Sequence, residues 1–418
     1  MDSEKSVAKF GVRLIVAVLT LLGGSLAIFT AQASTSIFST FLPVFASTNL
    51  GIQSDEVATL SLIGLATTIL SAPLFGFYGD RVGRRKLSLI GALVLGVSIA
   101  ATSQMTNVLT LALGYIGVAI GTSMLLPSLI AQMFKDTGTH WLLASVAALY
   151  FTMTQLAVVT VFGSPLIQQI GVKTGLIIAG LAILAGGSVG MGFVGLSHVL
   201  SRRYVWRDEW LDLARDRAQL LSLTLILIAV FLIGWTTSSI GNSVLFFAEE
   251  QLGLQPSDVA LAVTALGGAL VVFALFSPSA GVLADSLDWL TLRFVRRQLG
   301  RQLFVAIGVL ILCSGLGIVL LANDTQGVAG SLIVARLGVT ILSPSLFALV
   351  IARAPHRLWG TMAGLYLAVS AASNLGTTAS GFVADTLGLA SPFVLGIVVA
   401  ALALPLIAVA SKFEKERR

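Results

Sequence analysis

Charge and cysteine are both scarce in this chain. Of its 418 residues, 11% are Asp, Glu, Lys or Arg, against about 25% in a soluble domain. Too few solvating groups exist to cover a water-facing surface. The one cysteine, Cys313, stands in an apolar run, which excludes an internal disulfide and a cysteine-based metal cluster. The three histidines, His140, His198 and His356, fall at span ends, and the nineteen acids lie in tails, loops or span ends. No spaced His/Asp/Glu metal set, glycine-rich nucleotide loop or nucleophile–base pair occurs. These absences argue against an enzyme, a cofactor and ATP-driven pumping.

Long apolar runs make up the rest. The chain is 56% hydrophobic, with a mean hydropathy of +0.97, and a hydrocarbon core about 30 Å thick needs roughly 20 apolar residues per helix. Hydropathy with turn and charge punctuation predicts spans at 11–43, 55–78, 86–106, 108–133, 141–169 and 172–197, then 219–247, 257–284, 302–322, 326–351, 358–384 and 388–411. No soluble domain is left over. The expected fold is an all-α membrane protein of twelve transmembrane helices in two pseudo-symmetric six-helix bundles. The halves are 1–198 and 219–418, with a linker at 199–218. In the linker, Trp206, Trp210, Leu213 and Ala214 recur at helical spacing among Arg207, Asp208, Asp212, Arg215 and Asp216. That is the pattern of an amphipathic helix on a membrane surface.

With the N-terminus placed inside, 23 of the 25 Lys and Arg residues fall on one side. Lys173 lies outside and Arg336 within a span. Both termini are therefore expected in the cytoplasm, and the net charge of +6 marks topology rather than a nucleic-acid partner. Lys5, Lys9 and Arg13 ahead of an apolar stretch and Ala31-Gln32-Ala33 resemble a cleavable secretory signal. The stretch is too long for one, and cleavage would leave an odd set of eleven spans.

The halves repeat each other. Pro73-x-x-Gly76-x-x-x-Asp80 returns as Pro278-x-x-Gly281-x-x-x-Asp285, 205 positions on. Gly83-Arg84 returns as Gly300-Arg301, and Pro127-Ser128-Leu129 as Pro344-Ser345-Leu346, at 217. Ala148-Leu149-Tyr150 matches Gly364-Leu365-Tyr366 at 216, and Gly163 matches Gly381 at 218. A 12-residue insertion between Asp285 and Gly300 accounts for the jump. With Trp289, Leu290 and Phe294 beside Arg293, Arg296 and Arg297, it reads as a second surface helix. Six spans per half, duplicated, is a transporter architecture with its solute site at mid-membrane.

Between spans two and three stands Gly76-Phe77-Tyr78-Gly79-Asp80-Arg81-Val82-Gly83-Arg84-Arg85-Lys86. This stretch resembles the loop signature of the major facilitator superfamily, Gly-x3-Asp-Arg/Lys-x-Gly-Arg-Arg/Lys, and is complete. Gly76 suits close helix approach, and Gly83 the tight turn. The resemblance implies that Asp80 faces the positive N-terminal end of span eleven. It also implies that Arg84 pairs with Asp80 and with Asp136 at the inner end of span four, and that with Arg81 they hold an inner gate. The second copy keeps Asp285 and Gly300-Arg301, but the insertion separates them, so no gate is assigned there.

The family's cavity is lined mainly by spans one, four, seven and ten, with help from two, five, eight and eleven. Arg336 lies about ten residues into span ten, roughly 15 Å deep, where an arginine costs about 2.5–3.5 kcal/mol. No intramembrane acid can pair with it. It is the leading candidate to anchor an anionic group on the solute. Gln32, Gln155, Trp235, Thr236, Thr237 and Asn374 are further polar mid-span residues, with Tyr150 and Tyr366 nearer the inner side. The remaining wall is apolar and suits an amphiphile. No carboxylate stands at mid-membrane to carry protons, and Glu249 and Glu250 at the outer end of span seven are the nearest substitutes.

The expected function is secondary transport of a small anionic or amphiphilic solute by alternating access, with a coupling ion left open. A monomer in the lipid bilayer of a bacterial inner membrane is expected. The alternatives are proton-coupled efflux of lipophiles and a non-transporting scaffold. Span five lacks the Gly-Pro-rich signature of the family's drug/proton antiporters, reading Ala157-Val158-Val159-Thr160-Val161-Phe162-Gly163-Ser164-Pro165 instead.

Overall fold

In hydrocarbon no water satisfies the peptide groups, so a spanning chain closes its hydrogen bonds within helices or a barrel. This chain uses helices. A computed structural model describes residues 2–137, 142–162, 170–194, 216–295 and 299–415. Among them stand α1 (Asp2–Leu50), α2 (Ser54–Val82), α3 (Arg84–Thr102), α4 (Val108–Thr137), α5 (Leu143–Phe162) and α6 (Val172–Val194). These are followed by α7 (Arg217–Phe246), α8 (Pro256–Val295), α9 (Gly300–Leu321), α10 (Thr325–Ala352), α11 (Trp359–Ser373), α12 (Leu375–Leu387) and α13 (Ser391–Lys415). Ten helices among the described residues are long and apolar enough to cross a membrane. Span five is α5, whose predicted last residues 163–169 lie outside the described ones. Span eleven is α11 and α12 together, broken at Asn374. The twelve predicted spans are thus accounted for.

The piece expected as a separate surface helix after Asp285 instead prolongs α8, which runs unbroken for 40 residues to Val295. The reason is local: no glycine or proline stands between Pro278 and the end of α8 except Gly281, well inside the helix. Of the amphipathic linker expected at 199–218, residues 199–215 lie outside the described residues. At its end Asp216 caps α7, its side chain accepting from Gln219 N at 3.0 Å.

The duplication is visible in the packing as well as in the motifs. Small residues let membrane helices approach closely. A methyl group on Gly91 of α3 would stand 3.0 Å from the Gly121 carbonyl oxygen of α4, and one on Gly308 of α9 2.7 Å from that of Gly338 of α10. Both glycines of the second pair lie 217 positions after the first.

By backbone contact the chain forms two compact units. One holds Met1–His140, Leu156–Trp210 and Pro355–Ala368; the other holds Trp141–Gln155, Leu211–Ala354 and Val369–Arg418. The first stretch of span eleven therefore belongs to the unit of α1–α4, and the start of span five to the unit of α7–α10.

Candidate functional site

In the first unit, the end of α2 builds a carboxylate site. Gly83, at φ +120°, turns the chain directly from α2 into α3, a conformation open to glycine. Arg84 is then the first residue of α3 and stands four positions after Asp80. The Asp80 carboxylate accepts from the start of α11: Gly360 N at 3.1 Å, Thr361 N at 2.8 Å and Thr361 Oγ1 at 2.9 Å. Helix N-termini present unpaired N–H groups and positive potential, so an acid is matched to that place. Arg84 Nε donates to Asp80 at 2.8 Å, and its other nitrogens reach the carbonyls of Ala131, His356 and Arg357 at 3.0–3.2 Å. Gly76 faces the Gly360 carbonyl so closely that a Cβ there would collide with it.

Asp80 meets the start of span eleven, as the resemblance implies. Asp136 is placed differently. It accepts from Thr20 Oγ1 at 3.2 Å and from Gln132 Nε2 at 2.9 Å, while Arg84 takes hold of α4 at the Ala131 carbonyl. The expected Arg84–Asp136 pair is not among the described contacts. A backbone carbonyl one turn nearer satisfies the guanidinium in its place. Arg81 is exposed and stacks over the Phe77 ring, 4.5 Å from its centre.

The second copy of the motif assembles in the other unit. Asp285 accepts from Ala144 N at 3.2 Å, Ser145 N at 2.8 Å and Ser145 Oγ at 2.7 Å, all at the start of α5. Arg301 closes on Asp285 at 2.8 Å, and both side chains are 3% exposed. The insertion does not keep Asp285 and Arg301 apart. Gly360, Thr361, Ala144 and Ser145 escaped the sequence reading because their backbone N–H groups do the binding. Extending the 216-residue repeat of Tyr150 and Tyr366 back by five residues aligns Ser145 with Thr361 and would have found them.

The candidate solute residues divide between the units. In the second unit Gln155 of α5 reaches α10 at Thr340, one turn after Arg336. Gln155, 4% exposed, donates from Nε2 to Thr340 Oγ1 at 3.2 Å, and that hydroxyl donates to the Arg336 carbonyl at 3.0 Å. Gln155 Oε1 and Arg336 Nε are both buried with no hydrogen-bond partner among the described residues. Trp235 and Asn374 each stand where α7 packs on the break in span eleven. Ser238 Oγ donates to Asn374 Oδ1 at 2.9 Å, and Gly376 packs on the Trp235 backbone. Thr236 spends its hydroxyl on the carbonyls of Leu232 and Gly396, and Thr237 on that of Gly234. Tyr150 is buried in an aromatic cluster with Phe151 and Phe347 of α10. Gln32, half-buried on α1, and Tyr366, buried on α11, belong to the first unit.

The family model of the Major Facilitator Superfamily matches residues 24–366. The chain belongs to this superfamily. Solved structures agree with the assignment. The human organic anion transporter MFSD10 (TETRAN) is 16% identical, with a TM-score of 0.69 over 94% of this chain and 99% of that one. A bacterial homologue of the iron transporter ferroportin, in an outward-facing state, is 15% identical, with a TM-score of 0.72 over 95% and 99%. At such identities the likeness establishes the fold alone. No curated protein matches the chain. As a major facilitator protein, the chain is a multi-pass membrane transporter and not an enzyme.

Proposed function

We propose that this major facilitator protein carries a small anionic or amphiphilic solute by alternating access, with Arg336 as the anchor for the negative group. One observation carries the reading: Arg336 Nε is buried on a mid-span helix with no hydrogen-bond partner among the described residues. A buried arginine nitrogen left without an acceptor inside a membrane span is costly, and such arginines commonly mark a solute or ion path. A carboxylate or phosphate supplies the missing acceptors through charge-assisted bonds. Gln155 Oε1 offers an acceptor to a neutral N–H or O–H of the same solute. The two motif sites act as latches that release the starts of α11 and α5 during the cycle, and both termini lie in the cytoplasm of a bacterial inner membrane.

The test is thermal unfolding of the purified protein with a panel of anionic, neutral and cationic solutes, beside Arg336→Gln and Arg336→Lys. Selected anions should raise the midpoint of the wild type, fail with Gln and act weakly with Lys, which keeps the charge but loses the planar fork. Stabilisation by lipophilic cations, equal in wild type and Arg336→Gln, would overturn the reading in favour of lipophile efflux. A panel without effect, together with no flux in proteoliposomes, would favour the scaffold.

A further inference from the structure

The two latches are built from one motif, yet the second contains an acid the first lacks. In the 205-residue register that relates Asp80 to Asp285, the counterpart of Gly83 is Asp288. The exchange changes the backbone. With Gly83, α2 stops and the next residue, Arg84, falls back beside Asp80. With Asp288 the helix continues, and the following residues leave the site before Gly300-Arg301 returns.

The return is pinned at its base. Asp288, 5% exposed, accepts the backbone N–H of Arg301 at 3.1 Å through Oδ1. Its Oδ2 pairs with Arg301 Nε at 3.1 Å, outside hydrogen-bond geometry. The Thr291 hydroxyl donates to the Asp288 carbonyl at 3.2 Å and accepts from Leu299 N at 3.4 Å, tying departure to return. Gly300 lies so close to α8 that a Cβ would stand 2.5 Å from both Ala284 O and Asp288 N. One carboxylate thus caps the start of α9 and fixes the guanidinium that Asp285 needs.

We infer that Asp288 is the positioning residue of the second latch: it returns Arg301 to Asp285 across the insertion, and through Asp285 holds the start of α5. The first latch needs no such residue because Gly83 performs the return by turning. The inference deepens the latch reading given above but requires neither a solute nor a direction of transport, so its test stands apart from that of Arg336.

Deleting 288–299 leaves Asp285-Ser286-Leu287-Gly300-Arg301, the spacing of Asp80-Arg81-Val82-Gly83-Arg84. This shortened full chain therefore dispenses with Asp288 while rebuilding the first latch's geometry. Hydrogen–deuterium exchange on peptides covering 142–147 and 358–363 reads the two latches separately. In Asp288→Asn, which weakens the hold on Arg301, exchange at Ala144 and Ser145 should quicken by about tenfold, the equivalent of about 1.4 kcal/mol. Gly360 and Thr361 should be unchanged. The deletion should protect Ala144 and Ser145 as the wild type does. A general loss of stability would quicken both peptides alike, and that result overturns the inference. So does unaltered exchange at Ala144 and Ser145 in Asp288→Asn, or a deletion variant as unprotected as the point variant. Should Asp288→Asn not accumulate, the deletion decides alone: protection retained supports the inference, and protection lost ends it.

Discussion

At the scale of single residues, the Asp80 and Asp285 sites show that a carboxylate and a helix start can recognise each other with little side-chain chemistry on the receiving side. Two of the three bonds that the start of α11 gives Asp80 come from backbone N–H groups, and any residue but proline could supply those. Asp80, Gly83 and Arg84 were readable because their types are restricted by charge and turn. Gly360 and Thr361 were not, because a helix N-terminus binds through atoms that every sequence possesses. The Thr361 hydroxyl is the exception and can be removed. Thr361→Val should cost about 1.5–3 kcal/mol, the range for a hydrogen bond to a charged group, seen as a lower midpoint in detergent unfolding. Thr361→Ser should restore most of it. Equal midpoints for Val and wild type would show that the two backbone bonds suffice.

Among the elements, span eleven departs furthest from what the sequence foretold. Hydropathy reads 358–384 as one helix, since neither Pro nor Gly interrupts the run near Asn374 strongly enough to signal a break. The structure divides it because α7 offers a competing set of partners. Ser238 Oγ bonds Asn374, Thr377 Oγ1 bonds the Ser238 carbonyl at 3.0 Å, and Ser239 Oγ bonds the Gly376 carbonyl at 3.1 Å. Ser and Thr hydroxyls across membrane helices contribute about 0.6 kcal/mol on average, with a maximum near 1.7. A double-mutant cycle of Ser238→Ala and Asn374→Leu should give a coupling in that range, read from denaturant unfolding in mild detergent. A coupling of zero would mean that the pair does not hold the break, leaving Asn374 free to serve the solute. Spans nine and ten, by contrast, were legible from end to end, because hydropathy alone decides where an apolar run of that length becomes a helix.

Across the whole molecule, the number of spans and their duplication were legible, while the make-up of the two compact units was not. Hydropathy counts crossings, and repeats reveal kinship, but neither says that the starts of spans five and eleven pack with the unit that bears the matching carboxylate. Alternating access with Arg336 as the anchor carries a prediction about flux. If Arg336 anchors an anion, the loaded carrier changes state with its buried charge neutralised, whereas the empty carrier must do so with a bare guanidinium. On insertion scales that charge costs about 2.5–3.5 kcal/mol, and even half of it slows the empty step by about tenfold. Exchange of solute for solute should therefore run at least about ten times faster than net flux. The measurement is labelled-solute efflux from proteoliposomes, with and without the same anion outside, using the anion that the stability panel selects. In Arg336→Gln both exchange and net flux of that anion should fall toward background, since the anion has lost its anchor. Net flux as fast as exchange in the wild type would mean that Arg336 finds a partner in the empty state, and the anchor would have to be sought elsewhere in the spans.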